Sequence, residues 1–251
     1  MKDPNEAVYT RKTLMAAMAT NCSYYEGMEV RDRYRRETPI LLDALAPYIK
    51  DSGRIVDFGV GVGRVANALL DKYPGITVIG VDNSANMLEH AREFISRRHF
   101  LEGRIELLSL SDFESIESES VDLTILVYTL QHVSQPIIQK VLSDFDRILK
   151  DDGRLYVKNH RERLVFDRDL LGLYRFLRAA ATLLEYSCSS ILAQEISIRL
   201  DNQFFYSDGL DLEKELSERF EALEDVAIGG YPHLDSLMKK HFSRIYGKKK
   251  R

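Results

Sequence analysis

Closely spaced glycines follow an acidic residue early in the chain. Asp57 stands after a short apolar run, and Gly59, Gly61 and Gly63 come next at alternate positions, before a helical pattern begins. Glycine tolerates positive φ and lets a ligand approach the backbone closely. A glycine turn between a strand and a helix N-terminus suits an anionic or nucleotide-like ligand. Gly63, next to the helix, is expected instead to allow close packing of helix and strand.

The glycine turn alone leaves its ligand open. Gly61, Gly63 and Ala66 fit the G-x-G-x-x-A form of the dinucleotide fingerprint. Asp82 lies at about the distance expected for the acid that binds a ribose in that fingerprint. The elements around the turn must therefore be considered before a ligand is assigned.

Apolar runs and helical patterns alternate through the middle of the chain, which predicts a doubly wound, Rossmann-like α/β fold with helices on both faces of the sheet. The fourth run is the most apolar and is expected at the centre of the sheet. Asp152-Gly153 predicts a turn before the fifth strand, and Pro136 predicts the start of a helix. The predicted strands are 54–58, 76–82, 104–113, 121–130 and 154–160.

The chain divides into four predicted parts. Residues 1–50 form an N-terminal helical lid segment, and 51–161 form the Rossmann-like core. A helical pattern over 162–206 exceeds a normal crossover in length, which predicts a cap inserted over the carboxyl edge of the sheet. Residues 207–251 then supply a last helix and two final strands.

Four sequence segments carry a resemblance to class I S-adenosylmethionine-dependent methyltransferases, which extends from about Tyr24 to Lys248. The resemblance implies a seven-stranded, mostly parallel sheet with an antiparallel C-terminal strand, and S-adenosyl-L-methionine as cofactor. A nicotinamide enzyme would not need the acid at position 57 or the SDF turn. The four segments are DFGVGVGR at 57–64, VDNSANML at 81–88, SDF at 111–113 and VDLTILVYTLQHV at 121–133.

The resemblance places adenosine at the ends of the second and third strands. Asp82, with Asn83 beside it, is expected to accept hydrogen bonds from both ribose hydroxyls. Asp112 is expected to accept from the adenine amine. Apolar side chains would line the adenine faces, although two of them, Met87 and Phe113, have an alternative role in the core. The residues expected along these faces are Met87, Leu110 and Phe113.

The methionine end of the cofactor is expected at the glycines. The backbone of Gly59 and Gly61 would lie against it, which would explain the absence of side chains there. Arg64 would pair with the cofactor carboxylate, with Arg36 as the alternative. Asp57 resembles the first-motif acid of the family, which supports the loop and the ammonium side of the cofactor.

Catalytic residues are expected after the fourth strand. Methyl transfer from a sulfonium is an in-line displacement, so alignment supplies much of the acceleration. A general base is needed only for an acceptor that arrives protonated. Tyr128, Gln131 and His132 should face the mouth of the site. His132 is the candidate base, and a structural role for it is the alternative.

Other residues are expected at the same edge. Asn159 and His160 follow the fifth strand. Tyr24 and Tyr25 belong to the lid segment, where an aromatic face would suit the positive sulfur, although both could equally be packing residues. Aromatic residues of the 162–206 insert suggest an enclosed pocket for a small or medium-sized organic acceptor.

Composition narrows the function. The chain has 251 residues and a formal net charge of −4, which gives no strong nucleic-acid signal, although a protein or RNA acceptor and a catalytically silent cofactor-binding protein stay open. Two cysteines fit a reducing cytoplasm, and the N-terminus has no apolar export signal. No apolar run is long enough to span a membrane. The scattered histidines predict no metal site. The oligomeric state is open.

Overall fold

The computed structural model describes residues 38–96, 103–127, 129–130, 135–160, 212–226 and 241–249. Its strands are β1 (Arg54–Phe58), β2 (Thr77–Asp82), β3 (Ile105–Ser109), β4 (Val121–Val127), β5 (Leu149–His160), β6 (Phe220–Asp225) and β7 (His241–Lys248). They form one seven-stranded sheet in the order β3-β2-β1-β4-β5-β7-β6. β7 runs antiparallel to both of its neighbours, whereas the pairs among β1 to β5 are parallel. The predicted fold class is confirmed.

Helices cover both faces of this sheet. One apolar core joins the sheet to α1, α2 and α3, and a second joins it to α4 and α5 on the opposite face. Burial on both faces explains why β4, at the centre, is almost wholly apolar. The helices are α1 (its described part is 38–45), α2 (Arg64–Lys72), α3 (Ala85–Ser96), α4 (Gln135–Ile148) and α5 (Leu212–Arg219), with short 3₁₀ segments at Ala46–Tyr48 and Leu110–Ser115.

α1, α2 and α3 pack on the same face of the sheet, because apolar side chains of all three helices belong to one core. None of the helices in the described ranges is long and apolar enough to cross a membrane. Residues 1–37 of the predicted lid segment (1–50) and the insert at 162–206 lie outside the described residues, so the four-part division of the chain stays a prediction.

The third predicted strand, which runs into a loop over 104–113, ends as β3 at Ser109, and the 3₁₀ segment Leu110–Ser115 forms the loop. Two other predicted boundaries are wrong. β4 ends at Val127, three residues early. β5 begins at Leu149, because Val121 pairs with Leu149 and Leu123 with Arg154, so the predicted turn at 152–153 is a bulge inside the strand.

A buried carboxylate joins three chain segments at the amino edge of the sheet, away from the glycine turn. The Asp122 side chain is only 3% exposed. It accepts from the Arg54 amide at 2.9 Å, and both Lys50 and Lys150 place Nζ 2.9 Å from a carboxylate oxygen. Burial favours a higher pKa for Asp122, but the hydrogen bonds from Lys150, Arg54 and Lys50 hold it below its usual value.

We expect Asp122→Ala to lower the free energy of unfolding by about 2–4 kcal/mol, because the amide and two ammonium groups lose a shared buried partner. Asp152→Ala is the matched control. Asp152 also pairs with Lys50, at 2.8 Å, but its side chain is 67% exposed, so we expect a loss below about 0.5 kcal/mol. Chemical denaturation of both variants measures the difference. Equal losses would contradict the assigned role of Asp122.

Candidate cofactor-binding site

The glycine turn connects the carboxyl end of β1 to the N-terminus of α2. Gly59, Gly61 and Gly63 have φ of +79°, +55° and +83°. The amides of Gly59 and Val60 donate to the carbonyl of Val81, at 2.7 and 3.0 Å. The turn is therefore fixed to the end of β2, where the predicted ribose-binding acid stands.

Asp57 stabilises the start of α2 from the neighbouring strand. Gly63 is the N-cap of α2 and has no side chain with which to cap it. The carboxylate of Asp57 instead accepts a hydrogen bond from the Ala66 amide at 3.0 Å. An acidic group at a helix N-terminus also interacts favourably with the helix dipole. Asp57 thus stabilises the helix that follows the turn. Its predicted place on the ammonium side of a cofactor stays a prediction.

The environment of Asp57 is poorly suited to a charge. Burial raises the pKa of Asp57 to about 7, although Arg64 and the Ala66 amide oppose the increase. The folded state therefore binds this proton more tightly than the unfolded chain, whose reference value is 3.8. Asp57 therefore makes its full contribution to the free energy of unfolding below about pH 4, and this contribution is lost as the pH rises to about 7.

We expect Asp57→Asn to remove this contribution to the pH dependence, because the amide oxygen still accepts from Ala66 but does not titrate. As the pH rises from 4 to 8, the free energy of unfolding of the wild type should fall relative to that of the variant. Denaturation of both proteins across this range measures it. A difference independent of pH would contradict the assigned environment of Asp57.

Asp82 binds the glycine turn and retains capacity for a ligand. One carboxylate oxygen accepts from the Gly61 amide and the other from the Ser84 amide, each at 2.9 Å. Burial raises the pKa of Asp82, against the effect of these backbone hydrogen bonds. A carboxylate has about four acceptor positions, and the Asn83 amide also hydrogen-bonds Asp82, so one position remains for a ribose hydroxyl.

The three glycines differ in what lies around them. A Cβ at Gly59 would lie 2.2 Å from Thr129 Oγ1, so packing against Thr129 also excludes a side chain there. The predicted contact of Gly59 with a cofactor stays a prediction. Among the described residues, a Cβ at Gly61 would meet only the Gly59 carbonyl, at 4.0 Å. At Gly63 it would contact Ala91 and Ile95 of α3, so this glycine allows helix–helix packing and not the predicted helix–strand packing.

A cleft of about 220 Å³ opens beside Asp82, between the 3₁₀ segment at Leu110–Ser115 and one face of α4. Three residues predicted for the cofactor, Asn83, Leu110 and Phe113, line it. The contribution of α4 was missed, because nothing in the sequence shows which helix packs beside the end of β3. The residues that prediction missed are Ser111, Ile137, Lys140, Val141 and Asp144.

Not all of the predicted adenine residues occupy this cleft in the same way. Phe113 is 1% exposed and makes edge-to-face contacts with Phe58 and Phe145, at centroid distances of 5.2 and 5.7 Å, so most of the ring belongs to the core. Asp112 is exposed and accepts from the Ser109 hydroxyl at 2.6 Å. Met87 is half-buried in α3.

The helix that carries Met87 begins where the sequence predicts. Ser84 precedes α3, and its hydroxyl accepts from the Met87 amide at 3.3 Å. This cap confirms the predicted start of α3 and fixes its first turn directly after Asp82. The ribose-binding candidate therefore stands between the glycine turn and a capped helix.

Arg64 stands at the first position of α2 and donates to the hydroxyl of Thr38, at the start of the described part of α1. Its guanidinium lies near Asp57 and so joins the N-terminal segment to the glycine turn. The alternative partner for a cofactor carboxylate, Arg36, lies outside the described residues. Pairing of Arg64 with a cofactor carboxylate stays a prediction.

The predicted catalytic and lid residues lie largely outside the described residues. Asn159 is buried near the end of β5, whereas only the backbone of His160 is described. Among the described residues, no group of three or more His, Cys, Asp or Glu side chains is placed to hold a metal ion. The residues outside the described ranges are Tyr24, Tyr25, Tyr128, Gln131 and His132.

Part of this chain is similar to proteins of known family. Residues 55–153 match a family model described as a methyltransferase domain. The chain is 37% identical over 125 residues to a ubiquinone/menaquinone biosynthesis C-methyltransferase of Syntrophotalea carbinolica, which covers 49% of this chain and 50% of that protein. It is 34% identical over 82 residues to a trans-aconitate 2-methyltransferase of Rhodopseudomonas palustris, covering 33% and 30%.

The fold is also similar to that of a solved methyltransferase. Phosphoethanolamine N-methyltransferase 2 of Haemonchus contortus, in complex with S-adenosyl-L-methionine, superposes with a TM-score of 0.56 at 17% identity, over 100% of this chain and 61% of that one. The chain spans half or less of the length of the two curated relatives. The matched residues include the glycine turn, Asp82 and the residues that line the cleft, so this part of the chain is a methyltransferase domain.

Proposed function

We propose that this protein transfers the methyl group of S-adenosyl-L-methionine to an oxygen or nitrogen atom of a small-molecule acceptor. The observation that carries the proposal is the arrangement at Asp82. Its carboxylate, with an acceptor position remaining, stands between Gly61 and the cleft lined by Asn83 and Leu110. A ribose, an amino acid tail and a planar base need these three neighbouring environments.

The cofactor would extend along the carboxyl edge of the sheet. Its methionine end would lie against Gly61, with Arg64 near the carboxylate and Asp57 on the ammonium side. Its ribose would bind Asp82, and its adenine would enter the cleft. In that position the base meets Leu110 and part of the Phe113 ring, while Ser111 and Asp144 offer polar atoms in addition to the predicted Asp112.

The reactive methyl group would then point toward the end of β4. The protein's contribution is alignment of acceptor atom, methyl carbon and sulfur for in-line displacement, in a site from which water is excluded. Tyr128 and His132 are the proposed catalytic residues, with His132 as the base for an acceptor that arrives protonated. Tyr25 is proposed to cover the sulfonium from the lid.

A small-molecule acceptor is supported by the names of the two curated relatives, which act in quinone biosynthesis and on trans-aconitate. The acceptor atom does not carry over from either, because each match covers half or less of the relative. The segments expected to bind the acceptor, at 1–50 and 162–206, are largely outside the matched part of the chain.

A methyl-labelling experiment tests the proposal. The protein is incubated with cell extract and S-adenosyl-L-methionine labelled in the methyl group, and the products are separated into small-molecule, protein and RNA fractions. Asp82→Ala, which should not bind the donor, is the matched control. We expect protein-dependent label in the small-molecule fraction with the wild type alone.

The other outcomes identify the alternatives. Label confined to the protein or RNA fraction would overturn the small-molecule acceptor and retain the methyltransferase activity. Donor binding without label in any fraction would indicate a catalytically silent cofactor-binding protein. The net charge of −4 makes an RNA acceptor the less favoured alternative, since RNA-binding surfaces are usually basic.

A further inference from the structure

Thr129 connects the glycine turn to the end of β4. It stands two residues after β4 ends at Val127, and its hydroxyl donates to the carbonyl of Phe58, the last residue of β1, at 3.0 Å. The hydroxyl also lies 3.4 Å from the Val127 carbonyl. One side chain thus bridges the carboxyl ends of the two central strands.

The same side chain fills the space beside Gly59. A Cβ at position 59 would lie 2.2 Å from Oγ1, 2.3 Å from Cγ2 and 2.8 Å from Cβ of Thr129. Real Cβ atoms do not approach other atoms so closely, so Thr129 and a side chain at 59 exclude one another. The distance between the turn and β4 is therefore set by a threonine packed directly on a glycine.

The contact between Thr129 and Gly59 lies between the proposed donor site and the proposed acceptor site. The turn is where the methionine end of the donor is proposed to bind, and the end of β4 is where the acceptor is proposed to approach. We propose that Thr129 is a positioning residue, which holds the glycine turn at the distance from β4 that donor binding requires. The inference rests on the proposed function and adds a residue that the sequence did not indicate.

Two substitutions separate the hydroxyl from the methyl group. Thr129→Val keeps the shape but loses the hydrogen bond to Phe58, whereas Thr129→Ser keeps the hydroxyl. The probes are S-adenosyl-L-homocysteine, which has the amino acid tail, and 5′-methylthioadenosine, which lacks it. Calorimetry measures both affinities for each protein, at a temperature where thermal unfolding shows all three to be folded.

We expect Thr129→Val to weaken binding of S-adenosyl-L-homocysteine about five- to tenfold and binding of 5′-methylthioadenosine less than about twofold. The reason is that only the amino acid tail, which 5′-methylthioadenosine lacks, contacts the turn. Thr129→Ser should retain both affinities within about twofold. Thr129→Ala, which also removes the hydroxyl, replaces the valine variant if that variant does not fold.

If Thr129→Val lowers the affinity for both ligands equally, or for neither, the inference is overturned and Thr129 is a residue of the general fold. A loss in Thr129→Ser as large as that in Thr129→Val would overturn the role of the hydroxyl. Failure of the wild type to bind S-adenosyl-L-homocysteine would instead overturn the proposed function, and the inference with it.

Discussion

Gly59→Ala is expected to be the most destabilising single substitution in the cofactor site. The new Cβ would lie within 2.8 Å of three atoms of Thr129, at a residue whose φ is +79°. Left-handed backbone costs about 1–2 kcal/mol for a residue with a Cβ, and overpacking costs about 1–3 kcal/mol more. We therefore expect the free energy of unfolding to fall by about 2–5 kcal/mol and the melting temperature by about 5–15 °C.

Gly61→Ala is the matched comparison. Its φ is also positive, at +55°, but within the described part of the chain its Cβ would meet only one carbonyl oxygen, at 4.0 Å. We expect a loss of about 1 kcal/mol in unfolding free energy from backbone strain and at least a tenfold loss of donor affinity, because the methyl group enters the space proposed for the cofactor. Calorimetry and donor titration measure both quantities.

Gly59 is thus expected to be required mainly for folding, and Gly61 mainly for donor binding. In Gly59→Ala, a second substitution, Thr129→Gly, removes the clashing atoms and should recover the packing part of the loss but not the backbone part. Gly61→Ala that binds the donor as well as wild type would contradict the placement of the methionine tail. Gly59→Ala as stable as wild type would contradict the Thr129 contact.

Asp82→Ala is expected to give the largest loss of donor affinity. A hydrogen bond to a charged group contributes about 1.5–3 kcal/mol, and the ribose contact depends on this carboxylate, so we expect a loss of about 10- to 100-fold. Loss of the bonds to the Gly61 and Ser84 amides adds to the effect. The measurement is calorimetric titration with S-adenosyl-L-homocysteine and with 5′-methylthioadenosine.

Both ligands contain the ribose, so both affinities should fall together, unlike the tail-selective loss expected for Thr129→Val. Glu89→Ala removes an exposed acid from α3 and is the control, with no change expected. Asp82→Ala with affinity within about twofold of wild type would contradict the ribose contact.

The fold was predictable because its signals are local. The apolar runs of a sheet buried on both faces are continuous, and glycine and serine mark the starts of α2 and α3. The bulge at 152–153 could not be predicted, since the turn residues Asp152 and Gly153 occur equally in a bulge and in a loop. Its presence depends on how β4 pairs with β5.

The site was predictable where one segment supplies both the position and the chemistry. Asp57 and Asp82 each lie at the carboxyl end of a strand, and their type and spacing indicate their places at the sheet edge. Thr129 and the α4 residues of the cleft were missed, because their roles arise from contacts between segments about 30 to 70 residues apart. A threonine after a strand has no distinctive sequence signal.

Direct titration of the wild-type protein with S-adenosyl-L-methionine, S-adenosyl-L-homocysteine and NADH tests the central claim most directly. The arrangement of Gly61, Asp82 and the adjoining cleft predicts saturable binding of both sulfur compounds at one site per chain, and no binding of NADH. Binding of NADH with neither sulfur compound would contradict the account and return the glycine turn to the dinucleotide class.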